Sequence, residues 1–162
     1  MVTTMTSDDP QVMSIKHMAF AVRDAQQALD SYVRFLGVVP TGVQEYPKSR
    51  NRVALFELGG VEYQLCQSMD QGGRFDTWIN ERGHEGLHHI CYEVRDLDQV
   101  LAHALAGGAS LRICQACGVY GKHPHPEGFI AFLDNDTGGI ELEFMQVYTS
   151  QELQTYQQVQ GI

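Results

Sequence analysis

A chain of 162 residues, 43% hydrophobic and 19% charged, can bury one sizeable core and has the composition of an ordinary globular protein. Its net charge of −9 argues against nucleic acid or an anionic membrane as the main partner, although a few local cations would still suit a small anionic substrate. No stretch is long and apolar enough to span a bilayer, and the polar residues 1–11 hold no signal-peptide core, so a cytoplasmic location is expected.

Residues 1–13 read as a flexible tail. A strand is expected over Ile15–Val22. Asp24 then offers an N-cap with Gln27 three residues on, and Ala28, Leu29, Tyr32, Val33 and Leu36 recur at helical spacing until Gly37 and Pro40 stop the helix. A strand over 38–46 leads into the basic loop Tyr46–Arg52. Val53–Leu58 and Val61–Gln67 flank Gly59-Gly60, the signature of a tight hairpin.

After a Gly-rich connector with a short amphipathic piece at Phe75, Trp78 and Ile79, the order repeats. A strand His88–Val94 meets an Asp96/Gln99 cap. A helix carrying Leu97, Val100, Leu101, Ala104 and Leu105 stops at Gly107-Gly108, and strands follow near Ser110–Cys114, Phe129–Leu133 and Ile140–Met145. Leu153, Tyr156 and Val159 in the Gln-rich end leave a short helix or a frayed tail open. Cys66, Cys91, Cys114 and Cys117 are expected as free thiols in a reducing compartment. Cys114-Gln-Ala-Cys117 has redox or zinc spacing, but no second pair and no thioredoxin-like context accompany it.

The chain is internally duplicated. Lys16-His-Met-Ala-Phe-Ala-Val-Arg-Asp24 matches His88-His-Ile-Cys-Tyr-Glu-Val-Arg-Asp96, and Gly59-Gly-Val-Glu-Tyr-Gln-Leu65 matches Gly138-Gly-Ile-Glu-Leu-Glu-Phe144. The expected architecture is α+β, with two tandem βαβββ modules at 14–68 and 87–147, a connector at 69–86 and a tail at 148–162. All of it belongs to one body whose mixed sheet curves into a cleft.

Strand alternation puts Met18, Phe20 and Val22 (and Ile90, Tyr92 and Val94) on a helix-bearing face. The opposite face carries His17 and Gln64 in one copy and His89 and Glu143 in the other. Two imidazoles, an amide oxygen and a carboxylate suit a divalent metal with positions left for water or substrate. The plain alternative is solvated histidines and acids on exposed strand faces.

These same stretches, Ile15–Val22, Gly86–Val94 and Gly138–Glu143, resemble the vicinal oxygen chelate superfamily, whose members include glyoxalase I, methylmalonyl-CoA epimerase, extradiol dioxygenases and bleomycin-resistance proteins. The likeness covers about residues 14–147, and within the superfamily the chain looks most like the methylmalonyl-CoA epimerases. The resemblance implies a glyoxalase-like fold. It also implies one divalent ion (Co, Mn, Ni, Zn, Fe or Mg) held by His17, Gln64, His89 and Glu143, with His88 on the other face in a supporting role.

By the same resemblance the substrate would be a small carbonyl compound, a CoA thioester among the candidates, and a homodimer stays open. Glu143 would move a proton α to the carbonyl through a metal-chelated enolate, and Lys48, Arg50 and Arg52 would meet a CoA phosphate. The family's usual second carboxylate is absent from Arg52–Phe56, and Glu57 and Glu62 are expected near a hairpin tip, away from the metal. His123 and His125 lie in a longer loop than the family's. Alternatives are a glyoxalase I-type lyase, an epimerase of a small polyol ketone, and a metal-free drug-binding resistance protein.

Overall fold

The alternation read in the first strand is the one the backbone adopts. Val12–Ala21 forms β1, with Phe20 packed beneath a helix on one side and Ala19 and Ala21 fully buried on the other. The structure, a computed structural model, describes residues 12–134 and 138–162. The tail expected at residues 1–13 therefore lies outside it except for Val12 and Met13, which open β1. Two units make up the described chain: Lys16–Ile90, and Cys91–Ile162 together with the residues up to Ile15.

In the unit Lys16–Ile90, β2 (Pro40–Tyr46), β3 (Asn51–Leu58), β4 (Val61–Ser68) and β1 form a mixed sheet in the order β2-β3-β4-β1. β1 runs parallel to β4, and the other pairs are antiparallel. Gly59 (φ 61°) and Gly60 (φ 80°) turn β3 into β4 with Leu58 opposite Val61, since a two-residue turn with positive φ at both centres matches the strand twist and needs residues without a Cβ.

α1 (Ala25–Leu36) covers one face through Leu29, Phe56 and Leu65, with the Phe56 and Tyr63 rings stacked 4.7 Å apart. Full burial of each such side chain contributes about 1.5–3 kcal/mol. The connector supplies α2 (Arg74–Arg82), whose Phe75, Trp78 and Ile79 pack on Ala19, Ala21, Val53, Leu55 and Cys66. The face expected to hold the polar site is thus shared with a helix, and the two alanines make room for it. Gly73 at the N-cap has no side chain to offer, and Ser68 Oγ instead accepts from the amides of Phe75 (2.9 Å) and Asp76 (3.2 Å). A Cβ at Gly73 would stand 2.8 Å from that hydroxyl, so the glycine admits the cap.

In the other unit β6 (Leu111–Cys114), β7 (Val119–Tyr120), β8 (His123–Pro124), β9 (Gly128–Leu133) and β10 (Glu141–Val147) pair antiparallel in the order β10-β9-β6-β7, with β8 also on β9. β7 and β8 were not expected from sequence, each being only two residues long. α3 (Leu97–Ala106) covers the face of Val94, Ala131, Leu133 and Phe144. β5 (Gly86–Val94) gives residues to both units.

The duplication is visible in hydrogen bonds. Asp24 caps α1 and Asp96 caps α3, and the side-chain oxygens of Gln67 (3.0 Å) and Gln146 (2.9 Å) accept from the first helical amides, Ala25 and Leu97. Gln99 completes its box differently from expectation, since its amide donates to the Asp96 carboxylate. A reciprocal capping box occurs at Thr149/Glu152 and starts α4 (Ser150–Gln160), so the Gln-rich end is a helix. No helix among the described residues is long and apolar enough to cross a membrane.

Two substitutions test these contacts. Ser68→Ala should lower stability by about 0.5–2 kcal/mol through loss of the α2 cap. Gly128→Ala, whose Cβ would collide with the Gln146 carbonyl, should cost about 1–3 kcal/mol. Urea denaturation midpoints check both, and an unshifted midpoint would show that the contact in question carries no weight.

Candidate functional site

β1 and the first half of β5 bring two of the expected ligands together. His17 and His89 are both buried, and their Nε2 atoms lie 3.3 Å apart with the rings edge to face. Two nitrogens bound to one divalent ion at about 2.0–2.1 Å would stand about 3.0–3.4 Å apart, so the separation suits a shared ion. The plain reading of solvent-exposed histidines is thereby corrected: both are more than nine-tenths buried because the strand faces carrying them are covered.

His88 departs from expectation. Neighbours on a strand normally point to opposite faces, yet His88 Nδ1 lies 2.8 Å from His89 Nδ1. His88 is 1% exposed, with the rings of Phe75 and Trp78 of α2 at 5.0 and 5.5 Å. If His89 ligates through Nε2, its ring proton sits on Nδ1, and His88 Nδ1 is placed to accept it. α2 therefore bears on the site through His88. The adjacent His-His pair and the aromatic spacing of the connector were the only sequence signals for this.

Gln64 lies on the His17 face of β4, in register with Ala19 and Leu55. Its amide nitrogen donates to Glu62 Oε1 at 2.8 Å, so the side-chain oxygen is the atom it could offer to an ion. Glu62 is the register partner of His17. This carboxylate, next to the hairpin turn as expected, shares the register position and strand face of His17, because β1 pairs in parallel with β4. Glu57, opposite Glu62 on β3, is exposed.

Glu143 belongs to the other unit, on β10 opposite Phe132 of β9, and is 3% exposed. Glu141, two residues earlier on the same face, is ion-paired with Arg112 at 2.8 Å. Burying a carboxylate is costly unless it is paired or metal-bound. The side chains of this face include Met145, Ile130 and Phe132 of an apolar cluster.

The basic loop is less available than its sequence suggests. Arg50 makes a two-pronged pair with Asp70 (2.9 and 2.9 Å), and Arg52 pairs with Glu45 at 2.7 Å. Lys48 makes no ion pair among the described residues. The hydrogen bond from Arg50 holds the Asp70 carboxyl below its ordinary range, and the same bond raises the guanidinium.

Three comparisons bear on this arrangement. The family model described as the glyoxalase/bleomycin resistance protein/dioxygenase superfamily matches residues 16–132. An ethylmalonyl-CoA/methylmalonyl-CoA epimerase of Cereibacter sphaeroides is 29% identical over 83 residues, 51% of this chain and 62% of that relative, so the match spans under two thirds of the relative's length. A mitochondrial methylmalonyl-CoA epimerase of Homo sapiens is 24% identical over 132 residues, 82% of this chain and 73% of that one. Among solved structures, methylmalonyl-CoA epimerase from Mycobacterium tuberculosis superposes with a TM-score of 0.70 at 20% identity, covering 91% of this chain and 96% of the other, a likeness of fold.

The Arg50–Asp70 pair gives a pH test. Asp70, with its carboxyl lowered, stabilises the folded chain at pH above the ordinary carboxylate range and loses that contribution as pH falls through its own lowered value. NMR titration of Asp70 should therefore show a midpoint below that of a free carboxyl, and Arg50→Gln should return it to the ordinary value. An unchanged midpoint in the variant would refute the coupling.

Proposed function

The chain belongs to the glyoxalase/bleomycin resistance protein/dioxygenase superfamily, and from that premise we propose that it is a divalent-metal-dependent epimerase working on the carbon α to a carbonyl, with a CoA thioester of the methylmalonyl type as substrate. The observation that carries the reading is the pair of buried imidazole nitrogens 3.3 Å apart. Epimerase relatives, one of them matching over most of this chain, support the reaction class.

His17, His89 and the Gln64 carbonyl oxygen would hold the ion, with Glu143 as the fourth ligand by the family resemblance and the internal repeat. Among Co, Mn, Ni, Zn, Fe and Mg, this mixed N/O set admits each. When bound, such an ion supplies Lewis acidity toward a carbonyl oxygen that gains negative charge in the transition state. Glu143 takes the α-proton at a carboxylate oxygen, leaving an enolate. Return of a proton to the opposite face inverts the centre. Glu62 is our choice for the second proton carrier, because its register with His17 puts a carboxylate on this face and the Gln64 amide orients it.

His88 keeps the His89 ring turned for ligation. Arg50 is exposed and Arg52 half-buried, and their ion pairs with exposed carboxylates are of the weak surface kind, so a CoA phosphate could replace the carboxylates, with Lys48 adding a third cation. A metal-free binding protein would have no use for two imidazole nitrogens held 3.3 Å apart in the interior.

Chain loaded with Co or Mn should incorporate solvent deuterium at the α-carbon of methylmalonyl-CoA, read by mass spectrometry. Glu143→Gln and Glu62→Gln should each lower kcat by about 100- to 10,000-fold while the circular dichroism spectrum stays unchanged. No incorporation by the metal-loaded wild-type chain would overturn the substrate and the activity. An active Glu62→Gln variant would remove that residue alone.

A further inference from the structure

We propose that Cys114, Cys117 and His123 form a second metal site, for a zinc-class divalent ion, that fastens the β6–β7 hairpin to β8. The ligand atoms of these three side chains all lie within 4.8 Å of one another. Cys114 ends β6, Cys117 sits in the following turn and His123 opens β8, so a pair of cysteines two residues apart acquires its third ligand six positions later. No local sequence pattern shows that the chain returns to the cysteine pair at His123.

His123 provides the observation that points to a ligand. Its Nδ1 lies 2.8 Å from the Gly121 carbonyl oxygen, which can only accept, so Nδ1 carries the proton. In the neutral ring Nε2 then presents a lone pair. That atom is buried and has no hydrogen-bond partner, on a residue 6% exposed. A buried acceptor left without a partner is unfavourable, and a bound ion would satisfy it. A backbone carbonyl that fixes the tautomer and leaves Nε2 as the ring's one lone pair, on a histidine clustered with two cysteines, is the arrangement of a metal-bound histidine.

The turn is built for the same purpose. The amides of Cys117 (3.3 Å) and Gly118 (2.7 Å) both donate to the Cys114 carbonyl, and Gly118 takes φ 70°, which lets the chain double back immediately after the second cysteine. Two thiolates and one imidazole are a soft N/S set that favours zinc over the hard oxygen-loving ions. Sulfur and nitrogen atoms on one tetrahedral zinc stand about 3.5–3.8 Å apart, so closure from a spread of 4.8 Å asks for a contraction of at most about 1.3 Å. The exposed Cys117 turn can supply it. Water completes the fourth position, and binding releases the two thiol protons.

The hairpin needs such a tie. β6 and β7 share only the pairs Ile113↔Tyr120 and Cys114↔Val119, and β8 meets β9 only at His123↔Ile130 and Pro124↔Phe129. Ladders this short hold weakly by themselves.

The test uses the full chain, purified under reducing conditions, freed of metal, and titrated with Co(II) and then Zn(II). The wild-type chain should develop thiolate-to-cobalt charge transfer and the intense visible bands of tetrahedral cobalt, displaced by one equivalent of zinc. Cys117→Ser, at an exposed position, should lose the charge-transfer band and one equivalent of bound zinc. His123→Gln should weaken zinc binding by more than about tenfold. A His17→Ala/His89→Ala double variant should keep the band. The proposal is overturned if the wild-type chain shows no thiolate–cobalt absorption, if Cys117→Ser retains it, or if the His17/His89 variant abolishes it. Proton exchange by the Cys117→Ser chain reports separately on the epimerase reading.

Discussion

The two faces of β1 cannot be exchanged, and much of the unit Lys16–Ile90 follows from that. Successive side chains on a strand point to opposite sides, so Phe20 and Val22 go to α1 while His17, Ala19 and Ala21 go to the other face. The parallel register then selects the neighbours on β4. Glu62 stands by His17, Gln64 by Ala19 and Cys66 by Ala21. A slip of one residue would put His17 into the apolar cluster beneath α1 and expose Phe20, which is why such a register is strongly specified.

Small residues on that polar face have a second consequence. Ala19 and Ala21 leave the volume that Phe75, Trp78 and Ile79 fill, and the helix carrying those rings also bears on His88. His88 in turn meets His89, and His89 faces His17. Packing in the connector is thus transmitted to the orientation of the imidazole pair through one buried ring. Buried polar groups of this kind are specific only while each has its partner, so α2 supports the imidazole pair as well as the core.

The repeat was legible because duplication preserves local sequence: a His-led strand, Val-Arg-Asp, a capped helix and a Gly-Gly turn occur twice. The structure adds an equivalent pair just beyond the matched stretches, Gln67 and Gln146. Each reaches from the last strand of its module to the first amide of that module's helix. Divergence between the copies is equally informative. The loop before β9 carries β7, β8 and the Cys114/Cys117/His123 cluster, while the corresponding stretch of the first copy is a plain hairpin loop with an Arg50–Asp70 pair.

Sequence alone determined the βαβββ order, the helix-bearing faces and His89 as the counterpart of His17, because hydrophobic period, caps and glycine turns are properties of neighbours in the chain. The Gln-rich C-terminal helix was half legible. Its Thr149-Ser-Gln-Glu152 box is local, but its weak apolar stripe left fraying as an equal reading. Only the tertiary structure decided that Glu62 stands beside His17, that His88 turns to His89, that Arg50 and Arg52 are already paired, and that His123 returns to two cysteines. Each of these depends on strand register or on a side chain meeting a residue distant in sequence, and no local pattern encodes which distant group will arrive.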